Sequence, residues 1–153
     1  MKENALIKVL SVIQENSVST VIGIIGSTIA ALFGGWDVAL TTLIIFMAID
    51  YISGLVVAKL GKSLKSPNGG LDSRTGFKGL MRKGMILVMV LVAALLDKVI
   101  GTSFVRDAVV IAYLANEAIS ITENAGLMGV PINPAITKSI DILKNKSKEA
   151  QEK

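Results

Sequence analysis

Two acidic residues lie where acids are costly. Asp50 is the one charged residue in the apolar run 38–58, and Glu117 sits inside a second apolar stretch, residues 108–122. A central Asp costs roughly 2.5–3.5 kcal/mol to place in a bilayer, while the eleven Val, Leu, Ile and Phe residues of the run return roughly 3–7 kcal/mol together. The segment can therefore still enter lipid, and an acid kept there is expected to face a partner, a cavity or a water path. A shorter or tilted helix that draws Asp50 to the cytoplasmic interface is the alternative. Around the second acid, Tyr113, Glu117, Ser120 and Asn124 fall at i, i+4, i+7 and i+11, a polar stripe along one helical face. That stripe either lines water or meets lipid headgroups, and the spacing suits both. No Lys or Arg lies within one helical turn of either acid along the chain. Both carboxyls are thus expected to stay neutral until water reaches them.

Other chemistries have little to work with. The chain has no Cys and no His, which removes thiolate and imidazole nucleophiles, bases and metal ligands. Gly69, Gly70, Gly76 and Gly79 with Lys78 lack the spacing of a phosphate loop. No catalytic residue, metal site or cofactor is expected, and an enzyme is the least favoured class.

The elements that must position these acids are helices. Of 153 residues, 52% are hydrophobic and 18% charged, too apolar for one small soluble core. The apolar residues come in blocks of about 21, enough for roughly 30 Å of helix. The expected fold is an all-α integral membrane protein with three to four transmembrane helices, an amphipathic N-terminal helix and a short C-terminal helix. Residues 1–16 supply the first, with Leu6, Val9, Leu10 and Ile13 on one face, unless they are a frayed tail. Residues 18–58 form a transmembrane hairpin that turns at Gly34, Gly35, Trp36 and Asp37. Residues 59–83 read as a solvated basic loop carrying Lys59, Lys62, Lys65, Arg74, Lys78, Arg82 and Lys83, a density that marks the cytoplasmic side. The N-terminus is then cytoplasmic too.

Residues 84–124 hold the third and fourth apolar helices. The third is uninterrupted only over 84–96, before Asp97 and Lys98, so it is either a re-entrant helix or a span extended by the stretch to Val105. The charged tail 134–153 follows Pro131 and Pro134, with Ile136, Ile140 and Leu143 on one helical face. In the first span, Gly23, Ser27, Ala31 and Gly35 form one row of small residues, and Gly26, Ala30 and Gly34 form another. Such rows let backbones approach closely in lipid, either across the hairpin or between copies. The basic loop is expected to touch anionic lipid rather than nucleic acid, since Phe77 is the one aromatic residue among its cations.

In order along the chain, Asp50, Gly54, Ala58 and Lys59, then Ser73, Gly76, Gly79 and Lys83, then Asp97, then Tyr113, Glu117, Ser120, Glu123, Asn124, Gly129 and Pro131 resemble the phage lysis and toxin secretion holin family. The likeness covers about residues 50–134, and the short runs DYISG and NEAISITEN are its most specific parts. The first block, 18–36, and the amphipathic start depart from that pattern. The resemblance implies a multi-pass protein of the bacterial cytoplasmic membrane that oligomerises into lesions and releases a cell-wall hydrolase or a toxin, with an antiholin as a possible partner. It also adds Gly54 and Ala58 to the small packing positions. The rival readings are an antiholin or membrane-anchored regulator, and a small channel or transporter subunit.

Overall fold

The computed structural model describes residues 18–151. The expected amphipathic segment 1–16 lies outside the described residues. Within them the chain is all-α: α1 (Val18–Leu32), α2 (Val38–Lys59), α3 (Ser73–Ile100), α4 (Phe104–Leu127) and α5 (Pro134–Gln151).

Local sequence fixes each end. Asp37 starts α2 as its N-cap, with its carboxylate accepting from the Leu40 N–H at 2.8 Å. At the other end Gly61, at φ +72°, lets Lys62 N–H reach the Val57 carbonyl and Gly61 N–H reach that of Ala58, both at 3.0 Å. This left-handed termination satisfies carbonyls that would otherwise be orphaned. Thr41 and Thr42 donate to the carbonyls four residues back, which makes hydroxyls tolerable in an apolar helix. Asp72 caps α3, accepting from both the N–H and the hydroxyl of Thr75. That cap corrects the expected loop 59–83. The loop is 60–72, and Arg74, Lys78, Arg82 and Lys83 are helical residues of α3.

Asp97 and Lys98 do not interrupt α3. Their positions serve its junction with α4, which begins at Phe104, four residues before the expected 108. Ser103 offers α4 no side-chain cap. Asp97 replaces it from the end of α3, accepting from Arg106 N–H at 2.8 Å, Val105 N–H at 3.1 Å and the Thr102 hydroxyl at 2.5 Å. A carboxylate among the free N–H groups of a helix start is favoured by hydrogen bonding and by the helix dipole together.

α4 is the shared element. It packs against α2, α3 and α5, whereas α2 and α3 scarcely touch each other. Leu40, Leu43, Met47, Ile86, Val90, Val110 and Leu114 form the apolar core, joined by Phe33 and Tyr113. These residues come from the first half of α2, the middle of α3 and the first half of α4, so the core lies toward one end of the bundle. Toward the 60–72 loop Tyr51 of α2 lies beside Gly76 and Gly79 of α3. After the connection 128–133, α5 turns back along α4, burying Ile140 and Ser147 two turns apart.

The outside of the bundle is apolar. Ile45, Ile49, Ile52 and Val56 of α2 and Met85, Val88, Val92 and Leu96 of α3 are all exposed, and α2 is long and apolar enough to cross a membrane. Surfaces of this extent are not left to water by monomeric soluble proteins.

Candidate functional site

Beyond the apolar core, toward the 60–72 loop, the interior turns polar. Lys83 of α3 places its Nζ 2.8 Å from Asp50 Oδ2 of α2 and 2.5 Å from Glu117 Oε2 of α4. All three residues are buried, with Lys83 9% exposed. Asn124, one face further along α4, donates its Nδ2 to Asp50 Oδ1 at 3.1 Å and to the Ser53 hydroxyl at 2.9 Å. One ammonium thus ties three helices together, and the two acids outweigh it by one negative charge. Buried charges persist in proteins only when paired and hydrogen-bonded, which each member of this cluster is.

The sequence pointed to Asp50, Glu117 and Asn124, and these meet. Ser120 accepts from Lys65 Nζ at 3.2 Å, so a cation of the 60–72 loop also reaches back to the stripe. Tyr113 is half-buried against the apolar core. The expectation that both acids lack a cation is overturned, because their partner comes from another helix, 33 and 34 residues away in sequence. Lys83, read as a surface cation of the basic loop, is that partner. Gly54 sits beside Asn124, 3.8 Å from the position of an added Cβ, and Ala58 is buried.

An open cavity of about 1300 Å³ lies over this cluster, between α2 and α3 with α4 as its floor. Its inner wall holds Asp50, Lys83 and Glu117, and its rim carries Lys65, Arg74, Lys78 and Arg82. Lys59 and Lys62 are exposed near the end of α2.

A second charged cluster, which the sequence reading passed over, closes the opposite end of the bundle. The guanidinium of Arg106 is almost wholly buried and donates to Asp37 Oδ2 at 2.7 Å, to the Phe33 carbonyl at 2.6 Å, to Asp107 at 3.1 Å and to the Gly35 carbonyl at 3.3 Å. Lys98 Nζ adds a bond of 2.7 Å to the Ala31 carbonyl. The end of α1 is therefore tied down through its own unsatisfied carbonyls. The hydrogen bond from Arg106 holds the Asp37 carboxyl below its usual range, against the opposing effect of burial. A basic residue three positions into an apolar helix, with an acid N-cap on the preceding hairpin, is the signal that could have found this clasp.

Among the described residues, the first part of the small-residue rows of α1 meets no neighbour. A Cβ added at Gly23 or Gly26 would meet nothing within 4 Å, and Ser27 and Ala31 are exposed. Ala30 is partly covered. Gly34 and Gly35 belong to neither helical row, because α1 ends at Leu32 and both glycines have positive φ in the turn.

An all-α bundle that is apolar outside and charged within, with α2 fit to cross a bilayer, defines a membrane protein. Residues 27–145 match the bacteriophage holin family, and the chain belongs to it. A protein of Bacillus phage phi105 described as a probable holin is 31% identical over 115 residues, covering 74% of this chain and 80% of its own length. An uncharacterized protein of Listeria monocytogenes is 40% identical over 129 residues, 84% of this chain and 87% of the relative. An uncharacterized 14.9 kDa protein in the nagH 3′ region of Clostridium perfringens is 38% identical over 124 residues, 80% of this chain and 89% of the relative. No solved structure matches the chain.

Proposed function

We propose that this protein acts as a holin: it inserts in the bacterial cytoplasmic membrane with three to four spans, oligomerises, and opens lesions through which a cell-wall hydrolase or a toxin leaves the cell. The observation that carries this reading is the pairing of an apolar exterior with a buried Asp50, Lys83 and Glu117 cluster beneath an open cavity, on a chain of the holin family. Charges kept inside a lipid-facing bundle are the groups that water would hydrate once helices separate.

The α2, α3 and α4 helices, at 22, 28 and 24 residues, are about 33, 42 and 36 Å long, the length a crossing needs, and among the described residues α2 alone is also apolar enough in composition. With α1 as a fourth crossing, the 60–72 loop, the first turns of α3 and the Lys-bearing α5 face the cytoplasm, together with both termini. The uncovered row of Gly23, Ser27 and Ala31 supplies the face for assembly, since small residues let helices meet closely in lipid.

Induced expression in a bacterial host tests the reading. Accumulation should collapse the membrane potential, and co-expressed hydrolase should then lyse the cells. Gly23→Leu or Ala31→Leu should delay the event at equal protein level. Normal growth and potential while the wild-type protein accumulates in the membrane would defeat the pore-forming reading and favour a regulatory, antiholin-like partner.

A further inference from the structure

The cavity lined by α2 and α3 is a wedge that the described residues do not fill, and its lining is graded. Along α3, Arg74, Lys78 and Arg82 follow one another at four-residue spacing and line the cavity, and Met85 and Met89 continue the lining further along the helix. Polar cations thus give way to apolar side chains over about four turns. Tyr51 and Leu55 face them from α2. The inner cation is already committed, Lys83 to Asp50 and Glu117, and at the rim Lys65 donates to the neutral Ser120 hydroxyl.

Over the whole lining, Lys65, Arg74, Lys78, Arg82 and Lys83 stand against Asp50, Asp72, Glu117 and Glu123, which leaves one positive charge, and the surplus lies with Arg74, Lys78 and Arg82, since Asp72 uses its carboxylate to cap α3. None of the three cations makes an ion pair among the described residues.

From this grading we infer that the wedge between α2 and α3 is a binding site for a single anionic phospholipid. Its phosphodiester sits among Arg74, Lys78 and Arg82, and an acyl chain lies along Met85 and Met89. The inference rests on the membrane reading above. Three arguments select this occupant. The single surplus positive charge of the lining matches in magnitude the negative charge of one phosphodiester. The cations lie in the first turns of α3, where headgroups of the cytoplasmic leaflet would be, and Arg suits phosphate through bidentate donation. The apolar part of the wall begins where the cations end, as the chain of an amphiphile requires, and methionine conforms readily to a flexible chain.

The test uses the full-length protein in nanodiscs of phosphatidylcholine doped with a minor fraction of phosphatidylglycerol, followed by native mass spectrometry of the lipid retained on release. The wild type should retain phosphatidylglycerol in preference to phosphatidylcholine. R74Q/K78Q/R82Q should lose that preference by about tenfold or more, since a cation near an anionic headgroup contributes about 1 kcal/mol. Arg74→Lys with Arg82→Lys should keep most of it. K144Q/K146Q/K148Q, which removes as much charge from α5, should leave it unchanged, and circular dichroism of every variant checks its helicity.

No preference in the wild type, or equal loss in the two triple variants, overturns the inference. Full competition by inorganic phosphate also overturns it, because the site would then hold an anion without its chain. If the protein enters nanodiscs yet shows no preference, only this inference falls. If it does not partition into membranes at all, the holin reading falls and takes the inference with it.

Discussion

Replacing Lys83 by Met isolates the one ammonium that two buried carboxylates share. Nζ lies 2.8 Å from Asp50 and 2.5 Å from Glu117, and the remaining polar support for Asp50 is the neutral amide of Asn124. Removing the cation strands two like charges in a buried site, and breaking a buried pair in this way costs about 3–5 kcal/mol. At about 1.4 kcal/mol per tenfold, K83M should lower the folded-to-unfolded ratio by between about a hundredfold and a few thousandfold. Asp50→Asn or Glu117→Gln each leaves a neutral Lys83 and acid pair, so each should cost far less, about 1 kcal/mol. The triple variant D50N/K83M/E117Q removes all three charges and should recover most of the loss, because a neutral replacement of a buried ion cluster is often near neutral in stability. The assay is the temperature at which monodisperse protein is lost from size-exclusion profiles in detergent. If K83M melts with D50N, or if the triple variant is no better than K83M, the cluster does not hold the bundle together.

Three further outcomes are expected. Because the Asp37 carboxyl is held below its ordinary value of 3.8 by Arg106, its contribution to the clasp is complete above that value and is lost as pH falls through the lower folded value; the emission of Trp36, the sole tryptophan, should report this loosening below about pH 4, and Asp37→Asn should abolish the pH dependence. Gly69→Ala should destabilise the 60–72 loop by about 1–3 kcal/mol, since φ is +71° and the new Cβ would lie 2.4 Å from the Gly61 carbonyl oxygen, whereas Gly70→Ala meets nothing within 4 Å and should be silent; limited proteolysis of the loop compares the two. Reporter fusions after residue 65 and at the C-terminus should both report the cytoplasm, and an external C-terminus would refute the even number of crossings.

Helices and buried acids were legible in the sequence because each depends on local pattern. The α2 run stands out by its length without charge, and Asp50 by being the exception within it. Glu117 and Asn124 share a face by simple periodicity, and the structure brings that face to Asp50. What stayed hidden is pairing between helices. Nothing along the chain near Asp50 or Glu117 signals Lys83, and counting Lys83 among the loop cations drew attention away from it. The start of α3 was misplaced for a related reason. Arg74, Lys78, Arg82 and Lys83 were read as solvated density, whereas the Asp72 cap three residues before Thr75 carried the boundary. The clasp was missed because Arg106 and Asp37 lie 69 residues apart, and each taken alone resembles an ordinary helix-end charge.

The order in which the three buried charges leave the ribosome follows from their places on α2, α3 and α4. Asp50 is made first, Lys83 follows 33 residues later and Glu117 comes 34 residues after that. At a synthesis rate of about 5–20 residues per second each interval lasts roughly 2–7 s, long compared with the microseconds in which a helix forms. In the proposed topology the membrane therefore holds, in turn, one negative charge, none and one negative charge. An acid, acid, base order would pass through two unpaired carboxylates at once. With the base in the middle, the growing chain never carries more than one uncompensated charge in lipid, and each new helix arrives with its electrostatic partner already waiting.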